Sequence, residues 1–241
     1  MRNFAPFLTR MHNIIIKMAK TKKQKQANEF DQTIAASVSF FEKNQKKILY
    51  CVGTCLAVII AALLIHQFYI TPRNQRAKEA IYQAEQLFQN SNYEKALEGD
   101  DTNMGFLAVA DKFGGTKVGN LAHLYAGLCY EKLGKYEEAV EQLEDFSDKG
   151  DEMISPAALG ALGNCYAQLG QNEKAAETLL KAAKKADNNT LSPTFLIQAG
   201  QLFESLDKKD RALDCYEQIK EKYQQSFEYS SIDKYIERLK K

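Results

Sequence analysis

Residues 124–143 read LYAGLCYEKLGKYEEAVEQL, and residues 161–180 read ALGNCYAQLGQNEKAAETLL. Both stretches hold glycine, cysteine, tyrosine, the pair leucine–glycine, alanine and leucine at a common spacing, with the second copy displaced by 36 residues. A third copy follows after a further 37 residues, in which Gly200 and Phe203 match the glycine and the tyrosine. A unit that recurs at a fixed period of this length is the sequence signature of a repeat protein.

Each recurring position has a mechanical role in a helical hairpin. Small residues are needed where the two helices of a unit cross, an aromatic residue fills the space one turn further on, and a left-handed residue ends the first helix. The positions are Gly127, Tyr130, Gly134, Ala139, Gly163, Tyr166, Gly170, Ala175, Gly200, Phe203 and Ala212, with Asp207 in place of the third glycine. This pattern resembles the tetratricopeptide (TPR) repeat, a helix–turn–helix of about 34 residues. It predicts an all-α fold in which hairpins stack on one another.

The repeated region extends on both sides of these three copies. A degenerate unit precedes them, with matching positions at Ala84, Leu87, Ser91 and Ala96. The step from its small residue to Gly127 is 43 residues, and we interpret the excess, within 97–120, as an interrupted second helix, Met104–Phe113. The closing stretch SSIDKYIERLKK places apolar residues at helical spacing, which predicts a capping helix.

Two serine–proline pairs indicate where first helices begin. Ser155–Pro156 and Ser192–Pro193 are 37 residues apart, and each offers a serine N-cap before a proline at the first helical position. Residues 76–241 are therefore predicted to form one α-solenoid of three clear repeats, one degenerate repeat and a C-terminal capping helix.

A long uncharged segment precedes this region. Residues 48–70 hold 23 residues without a formal charge, of which twelve are Leu, Ile, Val or Phe. As a helix this segment would measure roughly 34 Å, enough to cross the hydrocarbon core of a bilayer. We therefore predict a transmembrane helix at 48–70 and a linker at 71–75. A buried helix of a soluble protein and a cleaved signal peptide are the alternatives, but the segment starts late and lacks an A-x-A site.

The charges are unevenly divided around this segment. Residues 1–47 hold ten Lys and Arg against three Asp and Glu, whereas residues 73–241 hold twenty-two against twenty-eight. The positive-inside rule predicts that the basic tail, 1–47, is cytoplasmic and that the solenoid lies on the opposite side. Met18 begins a second basic stretch, MAKTKKQKQ, and we hypothesise that translation starts there.

Motifs for catalysis or metal binding are not evident in the sequence. The histidines, His12, His66 and His123, have no metal-ligand spacing, and GGTK at 114–117 lacks the spacing of a phosphate-binding loop. We interpret Cys129, Cys165 and Cys215 as buried free thiols. We expect a protein that is not an enzyme, with no cofactor, no metal, no small-molecule substrate and no nucleic acid partner.

A partner-binding groove is expected on the first helices of the repeats. Its candidate residues are Leu121, Leu124, Leu128, Glu131, Asn164, Ala167, Ile197, Gln201 and Glu204. The three leucines could instead be core residues between repeats, and the sequence leaves both interpretations open. None of the nine residues is basic, which disfavours the recognition of an acidic C-terminal tail through a carboxylate clamp.

Further stretches carry a closer resemblance. They are FFEKNQKKILYCVG at 40–53, RNQRAKEAIYQAEQLF at 73–88, GDDTNMGFLAVADKFGGTKVGNLAHLYAGLCYEKLGKYEEA at 99–139, YEQIKEKY at 216–223 and IDKYIERL at 232–239. From residue 18 onward the chain is similar to the ancillary SecYEG translocon subunit of the YfgM type. The resemblance implies a single-pass protein of the bacterial inner membrane, with its repeat domain in the periplasm.

The same resemblance implies protein partners and no chemistry of its own. The expected partners are Sec translocon subunits and a membrane-anchored periplasmic chaperone of the PpiD type, and the expected role is a scaffold for protein translocation. A structural tether that self-associates in another envelope assembly is the alternative. An organellar receptor with a cytosolic domain is disfavoured by the charge asymmetry.

Overall fold

The computed structural model describes residues 42–240, and its regular elements are all helical. No strand forms in that range, apart from an isolated antiparallel bridge between Gly99 and Met104. The predicted all-α fold is thus confirmed for the described residues. The chain divides into two compact units, Met1–Gln67 and Phe68–Lys241. Most of the basic tail, including Met18, lies outside the described residues.

The first unit contains the apolar helix. We label residues 42–65 α1, and a π-helical turn, His66–Ile70, follows it. All side chains from 49 to 70 are exposed. The helical stretch Glu42–Gln89 reaches a mean hydropathy of 2.8 over eighteen residues, so it contains one helix that is long and apolar enough to cross a membrane.

The second unit is a succession of short helices joined by brief turns. They are α2 (Thr71–Gln89), α3 (Tyr93–Glu98), α4 (Phe106–Phe113), α5 (Lys117–Lys132), α6 (Tyr136–Asp145), α7 (Ile154–Gln168), α8 (Asn172–Ala186), α9 (Ser192–Ser205), α10 (Lys209–Lys222) and α11 (Ile232–Leu239), with a 3₁₀ turn at Glu228–Ser231. Residues 71–75, which the sequence assigns to a linker, are the first turn of α2. Pro72 is the second residue of α2 and directly follows the π-helical turn, where its missing amide interrupts the regular helical hydrogen bonds.

Helices pair as hairpins in the manner of a repeat array. α5 packs on α6, α7 on α8 and α9 on α10, and the second helix of each pair also packs on the helix that follows it. The degenerate unit is different because α3 and α4 together take the place of a second helix against α2 and α5. This arrangement is that of an α-solenoid, and the exact number of repeats stays a prediction.

The turn that ends each first helix has left-handed backbone conformation. Gly134 and Gly170 both have φ of +73°, and Asp207 has φ of +56°. Ser91, at the matching position of the degenerate unit, has φ of +59°. Glycine adopts this conformation without a steric penalty, whereas other residues are strained in it. The left-handed conformation that the sequence predicts for this turn is present at all four of these positions.

Glycine inside each first helix allows close contact with the second helix. A Cβ atom at Gly127 would lie 2.6 Å from Cγ of Leu143, and one at Gly163 would lie 2.8 Å from Cγ of Leu179. At Gly200 it would lie 2.5 Å from the ring of Tyr216. Real side chains cannot approach so closely, so the recurring glycine is required by packing, as the sequence predicted.

The predicted serine N-caps are wrong. Ser155 and Ser192 are buried inside the first turn of α7 and α9, and neither caps its helix. For α7 the acceptor is Asp151, whose carboxylate accepts hydrogen bonds from the amides of Met153, Ile154 and Ser155. An aspartate upstream satisfies the same unpaired amides that a serine N-cap would satisfy, and Ser155 is then free to donate its hydroxyl to Asp151 at 2.5 Å.

The insertion in the degenerate unit forms a tight loop and a short helix. Asp100 accepts hydrogen bonds from the amides of Thr102 and Asn103 at 2.9 and 2.8 Å, which closes the loop. α4 begins at Phe106, two residues after the predicted start at Met104. The ring of Phe106 stacks on Tyr125 of α5 with centroids 4.9 Å apart, so aromatic packing joins α4 to the next hairpin, while the small residues Ala84 and Ala96 are buried as in the other units.

The predicted capping helix is confirmed as α11. Ile232 and Ile236 are buried against the last hairpin, with relative exposures of 1% and 6%. Lys220 of α10 and Asp233 form an ion pair of 2.6 Å on the surface of this contact. α11 thus covers the apolar side of α10 that would otherwise face solvent.

Candidate protein-binding surface

Eight of the nine candidate residues share a register with a second candidate on another first helix, and Leu121 is the exception. Leu128, Asn164 and Gln201 are equivalent positions of α5, α7 and α9, and so are Glu131, Ala167 and Glu204. We call the whole set the first-helix surface: Leu121, Leu124, Leu128, Glu131, Asn164, Ala167, Ile197, Gln201 and Glu204. The structure brings α5 and α7 into contact, so these registers are neighbours in space and not only in sequence.

The leucines of α5 are part of the packing between hairpins. Leu124 is buried, with a relative exposure of 7%, in a core cluster that includes Leu143 and Cys165. Leu121 and Leu128 pack against the same cluster and are half-buried. The sequence left open whether these side chains are core or groove, and their contacts show that they stabilise the stacking.

The accessible part of the first-helix surface lies further along the chain. Gln201 is exposed, and Asn164 and Ala167 are half-exposed. Ile197 is half-buried because it packs against the C-terminal core cluster. Small and uncharged side chains therefore form the open middle of the surface, between α7 and α9.

Carboxylates lie at both ends of this surface. Burial raises the pKa of Glu131, a half-buried residue at the end of α5. Glu204 accepts hydrogen bonds from the hydroxyl of Tyr216 and from Nη2 of Arg238, both at 2.6 Å. Arg238 belongs to α11, so the capping helix contacts this surface at Glu204, its last residue.

One further carboxylate lies on this surface that the repeat spacing did not predict. Glu85 of α2 lies 43 residues before Leu128, so it occupies the same register in the degenerate unit. Burial raises the pKa of Glu85. Burial, and to a smaller extent the charge of Glu85, raises the pKa of the half-buried Tyr125. The 43-residue step between the units is the signal that could have found it. The extended surface thus contains three glutamates and no lysine or arginine.

Two basic side chains of the second helices lie over aromatic rings of the first helices. Nζ of Lys174 lies 3.9 Å above the ring of Tyr166, and the guanidinium of Arg211 lies 4.0 Å above the ring of Phe203. These are equivalent positions of two hairpins. Arg211 also pairs with Glu177 of the preceding hairpin. These cations link neighbouring hairpins, and none of the residues of the first-helix surface is itself basic.

The cysteine thiols and His123, the groups most suited to catalysis or metal binding, lie in packed or hydrogen-bonded positions. Burial raises the pKa values of Cys129, Cys165 and Cys215 to about 12, so these thiols stay protonated at neutral pH. The prediction that they are buried and free is confirmed. Nδ1 of His123 lies 3.1 Å from Oε1 of Gln142. Between residues 42 and 240, no group of three or more His, Cys, Asp or Glu side chains could hold a metal ion.

The chain has stacked helical hairpins, a left-handed turn after each first helix and an open first-helix surface. These features define the class of helical-repeat proteins. A search against protein families matches residues 38–240 to the tetratricopeptide repeat-like domain. The chain belongs to this family, whose domains are typically non-catalytic modules for protein–protein interaction. No curated protein matches the chain.

Proposed function

We propose that this protein is a membrane-anchored scaffold that presents its repeat domain to protein partners. The single observation that supports this proposal most is the coexistence of an apolar helix of spanning length with a TPR-like domain in one chain. The open middle of the first-helix surface, around Asn164 and Gln201, is the partner-binding site. Glu85 and Glu131 at its margin favour partner segments that carry lysine or arginine.

The anchor makes weak contacts sufficient. Two domains held on one membrane meet at an effective concentration of roughly millimolar, so a groove with micromolar affinity is occupied most of the time. A surface of small, uncharged side chains gives little affinity by itself, and tethering compensates for it. The scaffold therefore needs proximity more than it needs a deep pocket.

The site of action is the periplasmic side of the bacterial inner membrane, beside the Sec translocon and a membrane-anchored chaperone. The unequal charge on the two sides of 48–70 supports this topology. The resemblance to the YfgM-type translocon subunit over several stretches supports the partners. Secretory chains would then meet the first-helix surface as they leave the channel.

Site-specific photo-crosslinking in native membranes tests this function. A photoreactive amino acid at Gln201 or Asn164 should give adducts with Sec or chaperone subunits, whereas the same group at the exposed Lys184 of α8 should not. Adducts with unrelated complexes only, or equal adducts from all three positions, would contradict the proposal. Protease protection of the C-terminal domain in spheroplasts tests the topology separately.

A self-associating envelope tether is the second candidate function. Phe227 and Met153 occupy equivalent loop positions two repeats apart, with relative exposures of 92% and 52%. Exposed apolar side chains at such positions are suited to a contact between copies of the chain. Light scattering of the detergent-solubilised chain would show a stable oligomer, and Phe227→Ser should dissociate it. A monomer at all concentrations would exclude this function.

A further inference from the structure

A separate concave surface lies at the start of the solenoid. It is a cleft of about 480 Å³ between the first turns of α2 and the end of α4, with Phe68, Tyr69, Arg73, Arg76, Lys112 and Phe113 among its lining residues. We call it the basic cleft. Its volume is within the range of small-molecule sites, about 300–1,000 Å³. None of its residues belongs to the first-helix surface.

The basic cleft carries positive charge that the protein does not neutralise. Three cationic side chains line it, and no carboxylate does. Arg73 donates from Nη2 to the carbonyl oxygen of Lys112 at 3.0 Å, which holds the start of α2 against the end of α4. In the described part of the chain, none of the salt bridges within 4 Å involves Arg73, Arg76 or Lys112. An anion in this cleft would therefore meet cations that are not paired with a carboxylate.

The cleft begins where the apolar segment ends. Phe68 and Tyr69 are among the last residues of the predicted span, 48–70, and they are 75% and 62% exposed. Arg73 and Arg76 follow within the next six residues. Aromatic side chains next to a span lie at the level of the lipid headgroups, and cations there attract anionic lipids.

We propose that the basic cleft binds the headgroup of an anionic phospholipid in the leaflet at which the span, 48–70, ends. Arg76 and Lys112 contact the phosphate, and Arg73 keeps the two helices that carry them together. Phe68 and Tyr69 contact the glycerol and the first carbons of the acyl chains. An acidic peptide would satisfy the same charges, but it would not explain exposed aromatic residues at the end of a span. This site rests on the membrane span of the proposed function and does not involve the first-helix surface.

Native mass spectrometry of the full chain in a neutral detergent tests the lipid site. Phosphatidylglycerol and phosphatidylcholine share the phosphate and differ in net charge, so retention of the first over the second measures the preference. The double variant Arg76→Gln/Lys112→Gln keeps the Arg73 hydrogen bond and should weaken phosphatidylglycerol retention by about 30-fold. Each single variant should weaken it by about fivefold.

A charge-matched control separates the cleft from general electrostatics. Lys135 and Lys222 are exposed and form no ion pair with another described residue, so Lys135→Gln/Lys222→Gln removes the same charge elsewhere. Its lipid retention should equal that of the unmodified chain. Circular dichroism confirms that the variants are folded.

Three results would overturn the lipid site. One is equal retention of the two lipids by the unmodified chain, and another is equal loss in the cleft variant and the control variant. The third is displacement of phosphatidylglycerol by equimolar inorganic phosphate or hexaglutamate peptide, which would assign the cleft to a soluble anion or an acidic protein segment. Retention that depends on charge in the cleft alone and resists both competitors supports the proposal.

Discussion

Exchanges at two equivalent left-handed positions should change the free energy of unfolding in opposite directions. Gly170 has φ of +73°, and Asp207 holds the same place with φ of +56°. A Cβ atom at Gly170 would have no neighbouring heavy atom within 4 Å, so Gly170→Ala adds only backbone strain. An L-residue in this conformation costs roughly 1–2 kcal/mol, and aspartate is among the residues that tolerate it best. We expect Gly170→Ala to lower the free energy of unfolding by about 1 kcal/mol.

The reverse exchange should stabilise the protein. Asp207→Gly removes the strain but adds freedom to the unfolded chain, so the net gain should be smaller, about 0.5 kcal/mol. Thermal unfolding of the full chain in detergent, followed by circular dichroism, should show Gly170→Ala lowering the midpoint by about 2–4 °C and Asp207→Gly raising it. Gly115→Ala is a matched control, because that site has open space without a left-handed backbone and should change little. A decrease in both test variants would refute the reasoning.

Three other predictions concern packing, capping and thiol reactivity. Gly163→Ala places a Cβ 2.8 Å from Cγ of Leu179 and should lower the free energy of unfolding by about 1–3 kcal/mol. The loss should be smaller when Leu179→Ala is also present, and urea denaturation measures both values. Asp151→Ala should cost about 1 kcal/mol at neutral pH. The hydrogen bond from the Ser155 hydroxyl lowers the pKa of Asp151 to about 2, so this difference should disappear in melting curves as the pH falls from about 4 to 2. Cys165 should resist maleimide until the chain unfolds, as peptide mapping would detect, because burial raises its pKa to about 12.

The sequence predicts the hairpins well because each repeat position obeys a local rule. Gly163 must be small where two helices meet, and Gly170 must be left-handed where a chain reverses. Such requirements depend on near neighbours and recur at a fixed period, so three copies make them visible. The fold of the internal hairpins therefore follows from spacing alone.

The helix starts and the exposure of the first-helix residues are harder to predict from repeat positions. A serine before a proline is a common N-cap, but Asp151 reaches the same amides from upstream, and only the path of the loop decides between them. Leu124 and Gln201 both belong to first helices, yet one is buried and the other exposed. Burial of that kind depends on how neighbouring hairpins stack, which periodicity does not specify.

The degenerate unit shows a second limit. Its second helix is divided into α3 and α4, and Phe106 of α4 stacks on Tyr125 of α5, a contact that no repeat position predicts. Glu85 was also missed, although the 43-residue step between Ala84 and Gly127 relates it to Leu128. The basic cleft could not be found either, since its cations come from two helices that are distant in sequence.

Tyr216 occupies the place that Leu143 and Leu179 hold in the two preceding hairpins. Its hydroxyl donates to Glu204, and the same carboxylate oxygen accepts a hydrogen bond from Arg238 of the capping helix. The final hairpin is therefore not an interchangeable module. If it were transplanted to the interior of a longer engineered array, its tyrosine and glutamate would lose the arginine they share, and the junction would need to be redesigned with leucine.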